Sequence, residues 1–366
     1  MIDRADVLVL SHRLSRTRYF STGSNLTRDS VVVRIRDSEG TTGWGETYLV
    51  PGVVEEARAL ADALPGQDPS QAADRLAHLS GADRWALGAV ATALDDLRGR
   101  LAGVPSGTLH APRLRDRVVA YASSQGYVDG MPLADTWLAE ADTVRGAGYR
   151  QLKLRIGRGP LADELPAIEH AVTGAPDLTW MADGNGAYGF AESLELGRAL
   201  ERLGMRWMEE PLPTTDYSAY RPLADELGIP IAGGEILATP GQATDALGSG
   251  AFDIVQPDLA ICGGMGPLLA IAALASERGV ACIPHACNGA ILRAATLQAL
   301  SVLPSRDGLP TWAELALEDD VGENPLRTDL VRDPPRVDDG WIAIPSGPGL
   351  GIDVDEAAIE RYALAA

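Results

Sequence analysis

From about residue 117 onward the chain repeats one pattern. Short apolar runs end in polar residues: Val118–Ser124, Gln151–Ile156, Thr179–Asp183, Arg206–Glu210, Ile229–Glu235, Asp253–Asp258, Ala281–His285 and Thr311–Leu315. Between them lie stretches with apolar positions three and four residues apart, such as Ala134–Ala147, Ala191–Leu203, Gly266–Gly279 and Ile291–Val302. The runs read as strands and the intervening spacing as amphipathic helices. Eight strands alternating with helices predict an α/β chain with a (β/α)8 TIM-type barrel, a fold whose catalytic residues sit at strand C-terminal ends.

The chain has 366 residues, more than the roughly 250 that such a barrel needs. Residues 1–115 differ in pattern. Ala5–Leu14 and Asp29–Arg36 read as strands, and the turn Asp37-Ser38-Glu39-Gly40 leads into Thr42-Gly43-Trp44-Gly45-Glu46, as in an antiparallel meander. Helical stretches follow, the last over Trp85–Leu101. Strand and turn signals return in Gly340–Ile344 and Pro345-Ser346-Gly347-Pro348-Gly349-Leu350-Gly351. The expected division is an α+β capping domain over 1–115, the barrel over 116–320, and a segment 321–366 that returns to the cap.

The strand ends carry the candidate chemistry. Asp183, Glu209 and Glu235 close the third, fourth and fifth runs at intervals of 26 residues, about one βα unit each, so the three carboxylates meet at one mouth. Such a cluster repels itself in a low-dielectric cleft and requires a divalent cation or raised pKa values. All-oxygen ligation favours Mg²⁺, with Mn²⁺ as a substitute. Asp258 and His285 end the sixth and seventh runs, and Asp258 is placed to hold one ring nitrogen while the other serves as a base. Glu314 in the eighth run is a candidate acid opposite the metal. Lys153 is the sole lysine in an arginine-rich chain. A coding bias explains the depletion but not the survivor, and a compact ammonium at the end of a strand is a candidate site residue.

The net charge of −20 argues against nucleic acid and anionic membranes as partners. Cys262, Cys282 and Cys287 make no disulfide framework, so a reducing compartment is expected. Cys282 and Cys287 flank His285, but no further ligands complete a zinc set. Cys262-Gly263-Gly264-Met265-Gly266 lacks the glycine spacing of a dinucleotide loop. The N-terminal residues are too acidic for a signal peptide, and no apolar run reaches about 18 residues. A cytoplasmic protein is the expectation, whereas a small-molecule carboxylate substrate and a homo-oligomeric assembly are what the family resemblance below implies.

Together these residues resemble the enolase superfamily, and within it the mandelate racemase/muconate lactonizing enzyme group. The resemblance rests on Gly43-Trp44-Gly45-Glu46, Lys153-Leu154-Arg155, the carboxylates Asp183, Glu209 and Glu235, and Pro348-Gly349-Leu350-Gly351. Asp258 with His285 looks like the His–Asp dyad of the mandelate racemase branch. The resemblance implies that Mg²⁺ binds a substrate carboxylate, a base takes the α-proton, and Lys153, Asn185 and Glu314 contact substrate. It departs at Arg155, which stands where the group usually carries a lysine base and is too basic to accept a proton near neutral pH. Two-base racemisation therefore recedes, and one-base dehydration of an acid sugar through His285 leads, with isomerases (a sugar-lactone cycloisomerase, racemase or epimerase) as runner-up and an inactive metal-binding barrel as the non-enzymatic alternative. Specificity is expected from capping loops near Arg16–Arg28 and Tyr48–Val53, with Arg16, Arg18 and Arg28 as contacts to distal substrate groups.

Overall fold

The structure, a computed structural model, describes all residues except 80, 125, 129, 216, 306–309 and 366. Strands β1 (Ile2–Phe20), β2 (Gly23–Asp37) and β3 (Thr42–Thr47) form an antiparallel meander. The Arg84–Ala102 helix lies across it so closely that a Cβ on Gly45 would stand 1.9 Å from the Ala89 carbonyl oxygen and one on Gly43 2.2 Å from that of Ala93. Only glycine permits that approach. The same helix presents buried Asp96, which accepts from the backbone N–H groups of Trp44 (2.9 Å) and Leu350 (2.7 Å) and from Arg100 (2.9 Å). The Gly-Trp-Gly-Glu and Pro-Gly-Leu-Gly segments thus meet on one carboxylate.

The barrel strands are β4 (Arg117–Ser123), β5 (Gln151–Arg155), β6 (Thr179–Asp183), β7 (Met208–Glu209), β8 (Ile231–Gly233), β9 (Ile254–Val255), β10 (Ala281–Cys282) and β11 (Ala316–Asp320). They pair in parallel from β10 in sequence down to β4, and β11 joins β4 on its other side. This is a TIM-type barrel with an N-terminal cap. A hairpin of β12 (Val337–Asp338) and β13 (Trp341–Ala343) adds to β4 antiparallel, and Ala363 bridges to Leu10 of β1. No described helix is long and apolar enough to cross a membrane.

Alternation along each strand sorts the side chains. Leu152 and Leu154, Trp180 and Ala182, and Met208 belong to the shell between strands and helices. Their neighbours in sequence face the axis, where Tyr121, Met181 and Trp207 fill the lower interior, the Tyr121 and Trp207 rings edge to face at 5.4 Å. By the same parity Lys153, Arg155, Asp183 and Glu209 point inward above that layer.

The eighth strand is displaced from its expected place. Thr311–Ala313 is a 3-10 turn, and β11 begins at Ala316. Glu314 precedes the strand, is exposed, and lies at the opposite mouth, where its carbonyl accepts from Arg206 at 2.9 Å beside Gly228 and Pro230. It takes no part in the catalytic mouth. Its expected position is filled by Glu318, which parity places on the inner face while Leu317 packs outward.

Candidate active site

At the C-terminal mouth the register aligns Arg155 with Asp183 and Asp183 with Glu209, and a parallel bridge sets Asp258 beside His285. Lys153, fully buried, is the hub. Its Nζ lies 2.7 Å from Glu209 Oε1, 2.8 Å from Glu318 Oε1 and 3.5 Å from Asp183 Oδ2. Burial presses the ammonium pKa down, but Glu209, Glu318 and Asp183 outweigh it and hold the group charged. Arg155 donates to Asp183 Oδ2 (3.1 Å), Asn185 Oδ1 (3.2 Å) and Ser123 Oγ (3.3 Å), with Cys287 Sγ at 3.6 Å. The turn after it is fixed by buried Glu164, which accepts from the N–H groups of Gly157 and Gly159 at 2.8 and 3.0 Å.

The carboxylates differ in charge for legible reasons. Burial pushes Glu209 up to about 7; Lys153 opposes this, and Asp183, Glu318 and Glu235 reinforce it. Burial also raises Glu318, but Lys153, His285 and Arg155 overcome it and hold the group below the ordinary carboxylate range. Glu210, beside Glu209, is raised by burial and by Glu235, and it accepts from Gly234 N–H at 2.9 Å. Two non-glycine residues just past the carboxylate positions are left-handed, Asn185 (φ 42°) and Glu210 (φ 36°), the backbone strain that collects where loops must aim side chains.

His285 Nδ1 lies 2.8 Å from Asp258 Oδ2, which leaves Nε2 facing Glu235 Oε2 (3.3 Å) and Glu318 Oε2 (3.9 Å). Burial lowers the imidazole pKa, while Glu235, Glu318 and Asp258 more than reverse it. The cleft above holds about 510 Å³, within the range of small-molecule sites, and is lined by Arg155, Asn185, Glu235 and His285 from the barrel and Arg18, Arg28 and Tyr48 from the cap.

Asp183, Glu209 and Glu235 offer oxygen alone, the donor chemistry of Mg²⁺, and Glu209 is raised first by burial and then by its acidic neighbours. As they stand, no three described His, Cys, Asp or Glu side chains are drawn into a ready coordination shell. Lys153 and Arg155 draw Asp183 and Glu209 to one side, and Gln256 Nε2 holds Glu209 Oε2 at 2.9 Å. The donor set fits the ion, and in this arrangement the Asp183 and Glu209 carboxylates engage Lys153, Arg155 and Gln256.

Of the capping arginines, Arg28 is buried against Asp320 Oδ2 at 2.6 Å, and Arg18 lies 4.0 Å from Asp320 Oδ1. Both line the cleft, whereas exposed Arg16 lines a neighbouring cavity of about 840 Å³ that Arg18 and Arg28 also border. The sequence reading missed Glu318, Glu210, Gln256 and Asp320. The three successive acids Glu318-Asp319-Asp320 follow the run Thr311–Leu315 that reads as the eighth strand, and only the period of two, counted from the apolar Leu317, could have separated the inner pair from Asp319.

Residues 136–358 match the family described as enolase C-terminal domain-like, and residues 4–109 match the mandelate racemase/muconate lactonizing enzyme N-terminal domain. The chain belongs to the mandelate racemase/muconate lactonizing enzyme family of the enolase superfamily. It is 33% identical over 368 residues to a D-galactarolactone cycloisomerase of Agrobacterium fabrum, with 97% of this chain and 96% of the relative covered. It is 29% identical over 350 residues to an arabinonate dehydratase of Saccharolobus solfataricus (91% and 90% covered). Among solved structures, a Streptomyces coelicolor A3(2) racemase with bound magnesium superposes with a TM-score of 0.85 at 26% identity, over 100% of both chains.

Proposed function

We propose that this protein removes the proton α to the carboxylate of an acid sugar, an aldonate or aldarate, and expels the β-hydroxyl as water to give a 2-keto-3-deoxy acid. The observation that carries this reading is the asymmetry of the cleft. His285 presents Nε2 on one side, whereas β5 supplies only Lys153 and Arg155, both charged and both committed to carboxylates. Racemisation needs a proton acceptor on each face of the α-carbon. Dehydration needs one: Nε2 takes the α-proton, and the imidazolium held by Asp258 returns it to the departing hydroxyl.

Asp183, Glu209 and Glu235 would hold Mg²⁺, with Mn²⁺ as a substitute, and the bound ion supplies positive charge to the substrate carboxylate as the α-carbon loses its proton. Glu235 is the foremost of the carboxylates that favour a charged His285, and holding the ion would divert it from Nε2. Lys153 places a fixed charge under the developing enediolate, Glu318 orients Lys153, and Asn185 meets a substrate oxygen. Arg155 holds Asp183 and Asn185 in place and does not act as a base.

A second reading is favoured by the 33% identity to a sugar-lactone cycloisomerase. Where the β-oxygen belongs to a lactone ring, the same elimination opens the ring and loses no water. A panel of aldonates, aldarates and their lactones, assayed by product mass with α-proton exchange followed in D₂O, tests both. A product lighter by one water supports dehydration, an equal mass gives isomerisation, and no exchange with any member of the panel leaves an inactive barrel.

Lys153→Met is expected to cost about 2.7–4 kcal/mol of transition-state stabilisation, the loss typical of one preorganised donor, read from kcat/KM. Lys153→Arg should not restore it, because a guanidinium does not fit where a compact ammonium sits between three carboxylates. Near-native activity in Lys153→Arg would make the lysine a generic cation.

A further inference from the structure

Tyr48 follows β3 at the edge of the cap, and its hydroxyl reaches into the barrel. It donates to Asp258 Oδ2 at 2.6 Å, the same oxygen that faces His285 Nδ1 at 2.8 Å, and accepts from the Cys287 backbone N–H at 3.3 Å. The other Asp258 oxygen caps the Leu259–Cys262 turn, taking Ala260 N–H at 2.7 Å and Ile261 N–H at 3.3 Å. Backbone thus pins one end of the carboxylate, and a cap residue pins the end that orients the imidazole. The Tyr48 ring is itself fixed edge to face against Trp85, with centroids 5.6 Å apart. Burial and Asp258 both push the phenol pKa up, so the hydroxyl remains a donor.

We propose that Tyr48 is a positioning residue for the His285–Asp258 pair, through which the capping domain fixes the direction of the base. The inference rests on the reading of His285 as the base. Without the phenol, Oδ2 keeps only the imidazole, the carboxylate can pivot about its bond to Cβ, and the imidazole loses its fixed orientation. Because Tyr48 also takes the N–H of Cys287, two residues after His285, one hydroxyl ties the loop that carries the base to the residue that orients it.

Tyr48→Phe keeps the ring and its contact with Trp85, so the thermal unfolding midpoint should be nearly unchanged. Turnover and α-proton exchange should fall together by about 10–100-fold, the range for partners that orient a reacting group, with the loss in kcat rather than KM. In an Asp258→Asn background the same substitution should cost little more, since both act through one carboxylate. The His285 Nδ1 proton resonance should shift in Tyr48→Phe without substrate or metal, a change that a purely structural role would not produce. Unchanged kcat, a loss confined to KM, or effects that multiply fully with Asp258→Asn would each overturn the proposal. His285→Asn separates the two levels: retained exchange there removes the base assignment itself, whereas an inert His285→Asn beside a fully active Tyr48→Phe removes only the positioning role.

Discussion

His285→Asn is expected to stop both product formation and α-proton exchange. The amide keeps roughly the shape of the imidazole and can still hydrogen bond to Asp258, but it cannot accept a proton at the position of Nε2. The loss expected for a general base is about 10²–10⁴-fold, and more here because the same group also returns the proton to the leaving oxygen. Fold and cation affinity should survive, since His285 Nε2 meets the carboxylate cluster at Glu235 (3.3 Å) and Glu318 (3.9 Å) and at neither as closely as Lys153 meets Glu209. Exchange measured in D₂O under single-turnover conditions is the check. Retained exchange would move the base to β5 and restore the epimerase and racemase readings.

Removal of the divalent cation should have an effect of similar size. Treatment with a chelator is expected to abolish turnover and added Mg²⁺ to restore it, while a fully active metal-free preparation would sink the assignment. Glu209→Gln is the sharper variant, because Glu209 sits between Lys153 and Gln256 at the centre of the carboxylate row. The neutral amide is less costly to bury than the carboxylate, whose pKa is raised first by burial, so folding should be spared. It also removes one of three anionic ligands, so Mg²⁺ titration followed calorimetrically should show severely weakened binding. Wild-type affinity in Glu209→Gln would exclude this residue as a ligand.

The parts of the site that could be read in advance were those that depended on period and spacing. Intervals of one βα unit located Asp183, Glu209, Glu235, Asp258 and His285, and the structure sets all five at one mouth. The third run coincides with β6, whereas β7 to β10 are shorter than their apolar runs, β9 only Ile254–Val255 against Asp253–Asp258, because residues at the run ends have already left the ladder. The misreading at β11 has a definite origin. Thr311–Leu315 has the apolar content of a strand, whereas Ala316–Asp320 ends in acids that a strand tolerates only when cations wait inside: Lys153 for Glu318, Arg28 for Asp320, and Arg293 for Asp319 on the outer face. Those partners lie 165, 292 and 26 residues away in the chain, and no local pattern announces them. Tyr48 was legible only as part of a capping loop expected to set specificity for the same reason, since its meaning lies in a contact with Asp258 across 210 residues.

The junction at Asp96 also bears on how the molecule is made. That single carboxylate collects Trp44 near the start of the chain and Leu350 near its close, 254 residues beyond Asp96. Loop-closure entropy makes such distant contacts slow to form, so this seam is expected to be among the later parts of the molecule to settle during folding. Tyr48 lies one residue past the strand that Asp96 anchors. The tether proposed for the base therefore sits beside a junction that only the assembled fold completes.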